Sequence, residues 1–341
     1  MEILLISVVA SFITTFILTP RAMQFLRGAG IVAVDLHKRS RPILPASGGI
    51  CVSSGVLMGI LLYSGLQTFF SSYLSTTQES SVRLLAATSS ILIVTLTGLL
   101  DDLNVRERAV QTKDGRNVKI GFPQWIKPLL TLPGAIPLIV IRAGVTRMDL
   151  PFFGMVDFGV LYPLLIVPVG FVGAANMVNM IGGFNGLEAG MGILYTFSLG
   201  IYIWLAGEKE AAVLLLTACA ALLAFLKYNW YPAKILPGDS LTYLLGSLVA
   251  TGVILGNMER AGVLVMFPFI FEFFMKARSK FKASCIGKLR PDGRLDPPYG
   301  RKLYSWTHIL MNLHCLKEID VTICLILIQS FFAILPFILL F

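Results

Sequence analysis

The chain alternates long apolar runs with short polar interruptions. Apolar stretches recur near residues 3–26, 47–66, 82–100, 126–142, 159–178, 186–206, 210–228, 239–256, 261–276 and 320–341. Each is roughly 17–25 residues, the length one helix needs to cross the hydrocarbon core of a bilayer. Uninterrupted runs of this length do not suit barrel strands, so the spans are read as helices. The fold expected is all-α and integral to a membrane, with ten transmembrane helices in a single polytopic domain over 1–341. The fourth run holds Pro128, Pro133 and Pro137, so neighbouring helices must satisfy the backbone groups these prolines leave unpaired. The first run has no basic flank before it and no small-residue cleavage site after it, and is expected to be retained.

The interruptions have their own patterns. Loops after the first, third, fifth, seventh and ninth runs cover 27–46, 101–125, 179–186, 229–240 and 276–319. The first ends in KRSRPILPASGG, which suits a firm, close-packed turn. In the second, TKDGRNVK predicts a β-turn between two short strands. The third is a tight glycine-rich corner. In the fifth, Trp306, Ile309, Leu310, Leu313 and Leu316 recur at helical spacing behind Ser305, a fitting N-cap. That pattern predicts a short helix lying in the headgroup plane. Among the remaining connections, residues 145–160 alternate enough to predict a small hairpin.

Composition sharpens this picture. Of 341 residues 56% are hydrophobic, and the mean hydropathy of +0.78 excludes an ordinary soluble domain. Of 28 Lys and Arg residues, 23 lie in or beside those five loops. The other side holds Arg83, Arg142, Arg147, Lys209 and Arg260. Positive charge stays on the cytoplasmic side, so both termini are expected outside and the five loops inside. The net charge of +9 follows from this asymmetry and suits anionic substrates and lipid headgroups. No separate basic domain exists, so nucleic acid is not an expected partner. Cys51, Cys219, Cys285, Cys315 and Cys324 form no metal pattern and read as small buried or incidental thiols. His37, His308 and His314 show no ligand spacing and read as interfacial or solvated.

The chemistry gathers at span ends on one side. Asp101 and Asp102 stand together where the third run stops. Two carboxylates there are costly, and acid at a helix C-terminus opposes the dipole. Their side chains point about 100° apart on a helix, so one can face a metal–phosphate centre and the other a lipid substrate. In NMVNMIGGFNGLEAG, Asn176 and Asn179 share a helix face. Gly182, Gly183 and Gly186 break the helix and admit a ligand to the backbone, and Asn185-Gly186 can turn left-handed. Asp239, in NWYPAKILPGDS, opens the eighth run, where an Asp is also an ordinary N-cap. Lys127 opens the fourth run, and Arg278 and Lys280 follow the ninth in KARSKFK. Most of that last run reads as topology-setting charge, with one or two side chains reaching phosphate. With no Walker A and no GxGxxG motif, phosphates would be held by cations and metal.

At TGLLDD, NMVNMIGGFNGLEAG and NWYPAKILPGDS, in this order and spacing, the chain resembles the polyprenyl-phosphate N-acetylhexosamine-1-phosphate transferases. The resemblance covers nearly the whole chain and is nearest the eukaryotic and archaeal branch that makes GlcNAc-pyrophosphoryl-dolichol. It implies ten transmembrane helices and a cytoplasmic active site, in an archaeal plasma membrane or the endoplasmic reticulum. The substrates implied are UDP-GlcNAc and polyprenyl or dolichyl phosphate, with Mg²⁺, or Mn²⁺, as cofactor. It leaves a homodimer open. Carried over residue by residue, Asn179 and Asp239 match the metal ligands. Asp101 and Asp102 match the aspartate pair near metal and lipid phosphate, and Lys127 a phosphate-contacting lysine. Asn185, Gly183 and Gly186, beside Asn176, match the substrate corner that takes uracil. Arg278 and Lys280 lie where the family's last loop contacts pyrophosphate and sugar. The eukaryotic Arg-His-Arg run reads Arg278-Ser279-Lys280 here. His308 stands without the adjacent histidines of the bacterial MurNAc-pentapeptide enzymes, which argues against that donor. The chemistry implied is attack of lipid phosphate on the β-phosphorus of UDP-GlcNAc. Two rivals differ from it. The same transfer could use another UDP-N-acetylhexosamine or undecaprenyl phosphate. A nucleotide-sugar or anion transporter would instead place its polar groups at the bilayer midplane.

Overall fold

The computed structural model describes residues 1–70, 78–103, 106–111, 117–150 and 154–340, with side chains of 106–111, 117–120 and 150 left aside. Seven described helices are long and apolar enough to cross a membrane. They are α1 (Glu2–Gly28), α2 (Gly49–Phe70), α3 (Gln78–Leu103), α7 (Leu187–Leu205), α8 (Lys209–Asn229), α9 (Gly238–Gly256) and α13 (Glu318–Leu339). The protein is mostly helical and passes the membrane several times.

The three other apolar runs are helical but broken, each at prolines. Residues 126–142 form α4 (Lys127–Thr131), a 3₁₀ turn over Leu132–Ala135 and α5 (Ile136–Val140). Residues 159–178 begin with a wide π turn at Tyr162–Ile166 and continue as α6 (Val167–Val178). The run at 261–276 divides into α10 (Glu259–Val265) and α11 (Phe267–Ala277), with Pro268 in the first turn of the second piece. A proline removes one backbone donor and crowds the preceding turn, so periodicity alone overstated these as continuous spans.

Helix α9 is the centre of the bundle. It is buried from Ser240 to Gly256 and packs on α2, α3, α6, α7 and α8. Small residues permit this. A Cβ on Gly98 of α3 would stand 2.5 Å from the Asp239 carbonyl oxygen, so only glycine lets α3 approach the start of α9. Such small-residue contacts replace the hydrophobic drive that lipid does not supply between helices. On α1, Ser7, Ser11, Thr15 and Thr19 form a fully buried stripe at four-residue spacing, and Ser11 Oγ donates to the Thr217 carbonyl at 2.8 Å. Leu5, Ile6, Val9, Ile13 and Ile17 face outward.

Among the described residues, four two-stranded antiparallel ribbons decorate the helix ends. In the first loop β1 (Val32–Val34) pairs with β2 (Ile43–Pro45), and this ribbon docks on the fourth loop. There Leu236 N–H donates to the Pro45 carbonyl at 2.8 Å and Gly48 N–H to the Leu236 carbonyl at 3.1 Å. The expected strands of the second loop are β3 (Arg106–Gln111) and β4 (Asn117–Ile120), and the turn at 112–116 lies outside the described residues. The expected hairpin at 145–160 is β5 (Arg147–Leu150) with β6 (Gly154–Asp157); its turn, 151–153, likewise lies outside them. The fifth loop carries β7 (Lys288–Leu289), β8 (Leu295–Asp296) and the predicted helix α12 (Trp306–Leu313), with Ser305 Oγ accepting from Thr307 N–H.

Two of the three histidines depart from expectation, while His314 is exposed as expected. His37 and His308 are both buried. His37 packs its ring on Phe184 at 4.5 Å. His308 Nδ1 accepts from Tyr304 N–H at 3.1 Å while Nε2 meets the Ser284 carbonyl at 2.9 Å. Burial pushes the imidazole down from 6.5 to about 4, with the Lys276 charge acting in the same direction. Cys51, Cys219 and Cys285 are buried free thiols, Cys324 is half-buried and Cys315 is exposed.

Candidate active site

The start of α9 and the end of α3 build a compact polar centre. Lys127, the first residue of α4, is buried and places Nζ 2.7 Å from Asp101 Oδ2 and 2.8 Å from Asp239 Oδ2. Asp101 Oδ1 accepts from Phe122 N–H at 2.6 Å. One ammonium therefore bridges two carboxylates from different helices. Its charge offsets much of their desolvation cost, as a buried ion pair requires. Asp239 is the open member, with 30% of its side chain exposed against 1% for Asp101.

Asp102 turns the other way. Its Oδ1 accepts from Asp239 N–H at 2.8 Å, and its Oδ2 from Ser240 N–H at 3.2 Å and Ser47 Oγ at 2.8 Å. The side chain thus caps α9 from a neighbouring helix, satisfying donors that a helix start leaves unpaired and setting a negative charge on the positive end of the dipole. The two aspartates do point apart, as the sequence predicts. Asp102, expected to face metal or lipid, has both oxygens on protein donors.

A cavity of about 310 Å³ opens beside this centre. Asp102, Asn179, Gly238, Asp239 and Thr242 line one end. Gly182, Gly183, Phe184 and Asn185 line the other, facing Asp35 and Leu36 of the first loop and Cys285 and Ile286 of the fifth. Asn179 Oδ1 accepts from Thr242 Oγ1 at 2.9 Å, which aims the amide along the start of α9. Gly183 N–H donates to Glu188 Oε1 at 2.8 Å, and Gly182 O accepts from Cys285 Sγ at 3.0 Å. Gly186 sits at φ 78° and packs on Trp230, where a Cβ would stand 2.6 Å from the ring. It shapes the corner without lining the cavity.

Asp101, Lys127 and Gly186 stand beside the cavity without lining it, and three more sequence-predicted residues fall elsewhere. Asn176 Nδ2 donates to Thr131 Oγ1 at 3.0 Å and the Val172 carbonyl at 2.8 Å, fastening α6 to α4 outside the cavity lining. Arg278 and Lys280 are exposed beyond the end of α11 and do not line it either. The fifth loop reaches the cavity through Cys285 and Ile286 instead. The basic run also has a structural use, since Lys276 Nζ donates to the Ala283 carbonyl at 2.9 Å and folds the loop back. Asp35, Lys38, Ser47, Glu188 and Glu318 belong to this region and carry no local sequence mark. Only the D-x-x-K spacing of Asp35 and Lys38 beside a Pro-rich turn could have drawn notice.

The glycosyl transferase family 4 pattern matches residues 84–257, which hold both aspartates, Lys127, the glycine corner and Asp239. The chain belongs to glycosyl transferase family 4. A relative from Saccharolobus solfataricus is 33% identical over 340 residues, 98% of this chain and 96% of its own, and is provisionally named a UDP-N-acetylglucosamine–dolichyl-phosphate N-acetylglucosaminephosphotransferase. A Dictyostelium discoideum protein of that name is 26% identical over 306 residues, covering 78% of this chain and 70% of its own. A phospho-N-acetylmuramoyl-pentapeptide-transferase of Halalkalibacterium halodurans is 28% identical over 280 residues, 80% of each chain. This family 4 member is therefore a membrane-embedded glycosyl transferase whose polar centre lies within the family's matched segment.

Among the described residues no three His, Cys, Asp or Glu side chains gather as a metal cluster. The available donors are oxygens, the Asp239 carboxylate and the Asn179 amide, with Asp101 behind Lys127. So few hard donors suit Mg²⁺, which keeps waters and takes substrate phosphates as ligands. They do not suit zinc, which takes four N or S ligands in closed sites.

Proposed function

We propose that the protein transfers GlcNAc-1-phosphate from UDP-GlcNAc to a polyprenyl phosphate of the dolichyl type. UMP is released and GlcNAc-pyrophosphoryl-polyprenol stays in the membrane. The observation that supports this is the continuous cavity running from Asp239 and Asn179 to the Gly182–Asn185 corner. It joins the Asp239 carboxylate and Asn179 amide to a glycine-rich corner that Phe184, Leu36 and Ile286 flank. The names of the relatives point to the same donor and acceptor.

In this reading an oxygen of the lipid phosphate attacks the β-phosphorus of the donor. The bond from that phosphorus to the bridging oxygen breaks, and UMP leaves with the electron pair. A phosphate monoester with a second pKa near about 6 attacks as an anion, without a strong general base. Lys127 faces the centre where charge builds on the phosphate oxygens and stabilises it. Asp101 holds Lys127 in position, and Asp102 holds the helix start that carries Asp239. Asp239 and Asn179 would hold Mg²⁺, which supplies charge neutralisation between the phosphates when bound.

Ten membrane crossings, both termini outside and the cavity facing the cytoplasm complete the proposal. The three proline-broken helical runs and the 23 basic residues on the loop side of 28 in total support it. A pentapeptide-bearing donor is disfavoured by the fifth loop, where His308 stands without an adjacent histidine. The test is competition. Purified protein in detergent receives sugar-labelled UDP-GlcNAc and UDP-MurNAc-pentapeptide with dolichyl or undecaprenyl phosphate. The expected outcome is a GlcNAc-bearing lipid plus UMP, with dolichyl phosphate the better acceptor. Equal use of both donors would refute the donor assignment.

A further inference from the structure

Asn185 is held from every side. Its main-chain N–H donates to Glu318 Oε1 at 2.8 Å and its carbonyl accepts from Thr322 Oγ1 at 3.3 Å. Its side-chain oxygen accepts from Lys38 Nζ at 3.0 Å and from Ala233 N–H at 2.9 Å. Its amide nitrogen donates to Asp35 Oδ2 at 3.2 Å. Lys38 also donates to Glu318 Oε2 and stands 3.3 Å from Asp35 Oδ2. The first, third and fourth loops thus meet on the first turn of α13, at a carboxylate 3% exposed and 133 residues from Asn185.

We infer that Glu318 is a positioning residue for the donor nucleotide. This rests on the donor site proposed above. Both lone pairs of the Asn185 oxygen are taken, as are its N–H and carbonyl. A ligand in the cavity therefore meets the walls on either side, Gly182–Phe184 and Asp35–Leu36. The Asn185 side chain joins the two walls directly through Lys38 and Asp35, and Glu318 fixes that junction from behind, one oxygen on Asn185 N–H and the other on Lys38. Two donors, one of them charged, require an ionised carboxylate with both oxygens free to accept. Glutamine offers one oxygen and turns an NH₂ group toward Lys38 or Asn185 N–H, leaving a buried donor unmatched. Helix α13 keeps its apolar seat through Val321, Leu325 and Ala333. The expected result is a displaced corner in a folded protein.

The experiment compares wild type, Glu318→Gln and Lys38→Met, with Asp320→Asn as control. Asp320 lies on the same helical turn and only accepts from exposed Lys317 N–H at 2.9 Å. UMP binding by calorimetry reads the nucleotide end alone, and Mn²⁺ binding by paramagnetic resonance reads the Asp239 end. Glu318→Gln is expected to weaken UMP binding about tenfold or more, the scale of one lost charge-assisted hydrogen bond. The KM for UDP-GlcNAc should rise in step, with kcat, the lipid KM and Mn²⁺ affinity unmoved. Lys38→Met should act in the same direction, and Asp320→Asn should match wild type. UMP binding within about twofold of wild type in both variants overturns the inference. So does a parallel loss of UMP and Mn²⁺ affinity, which would mean general loosening. A wild type that binds no UMP overturns the donor site itself, and the inference with it.

Discussion

Asp102→Asn separates a helix cap from a group that touches substrate. The carboxylate accepts from Asp239 N–H, Ser240 N–H and Ser47 Oγ at 2.8, 3.2 and 2.8 Å. Asparagine keeps one oxygen and presents an NH₂ group to donors on the other side. Hydrogen bonds to a charged group contribute about 1.5–3 kcal/mol each, and charge at a helix N-terminus adds about 0.3–1 kcal/mol. With one oxygen retained, a stability loss of about 2–3 kcal/mol is expected. The local consequence is larger, because the displaced backbone is that of Asp239 itself. Partners that orient a metal ligand typically matter by about 10–100-fold in metal affinity. Mn²⁺ titration of the purified variant, beside kcat and the two KM values, reads this directly. Weaker Mn²⁺ binding and lower kcat with an unchanged KM for polyprenyl phosphate is the expected pattern. Wild-type Mn²⁺ affinity with a raised lipid KM would refute the reasoning and make Asp102 a lipid contact.

Three further outcomes are expected. Lys127→Met leaves Asp101 and Asp239 facing each other without their shared cation, so thermal stability should fall by about 3–5 kcal/mol and turnover should vanish; a stable, active variant would contradict the bridge. Asn179→Ala should remove Mn²⁺ binding while Asn176→Ala, whose side chain only joins α6 to Thr131, should keep it; equal effects on metal would sink this division. His308 has its folded-state value lowered from 6.5 to about 4 by burial, so the unfolded chain binds more protons between those values. Stability should therefore be flat above pH 6.5 and fall as pH drops toward 4, by at most about 1.4 kcal/mol per pH unit. His308→Phe should flatten that dependence in a melting series, and an unchanged slope would remove His308 as its source.

Much of the bundle is legible in the sequence because lipid enforces a simple code of apolar length. All ten apolar runs are helical. Periodicity does not reveal which are continuous; Pro163, Pro168 and Pro268 accompany the further breaks, yet Pro20 and Pro336 sit inside the unbroken α1 and α13. The site is half legible. Asp101, Asp239 and Asn179 stand out because carboxylates and amides at span ends are costly unless they bind something. Asn176 misleads, since helical spacing puts it beside Asn179 while its amide is drawn to Thr131. Arg278 and Lys280 lie outside the cavity lining, and their run reads equally as a solvated basic stretch after α11. Glu318 and Lys38 are invisible locally, because their meaning lies in a contact spanning most of the chain, and an acid at the first turn of an apolar helix looks like an ordinary start.

The central claim is that sugar and phosphate move together at the Asp239 centre. UDP-GlcNAc labelled at the β-phosphorus, mixed with polyprenyl phosphate and Mg²⁺, tests it in one reaction. The account predicts label in the organic-soluble lipid, unlabelled UMP in water, and neither product with Asp239→Ala. Label remaining in water as UDP would mean that the sugar moves alone. Lipid label formed by Asp239→Ala at wild-type rate would place the chemistry elsewhere. Either result would contradict the account.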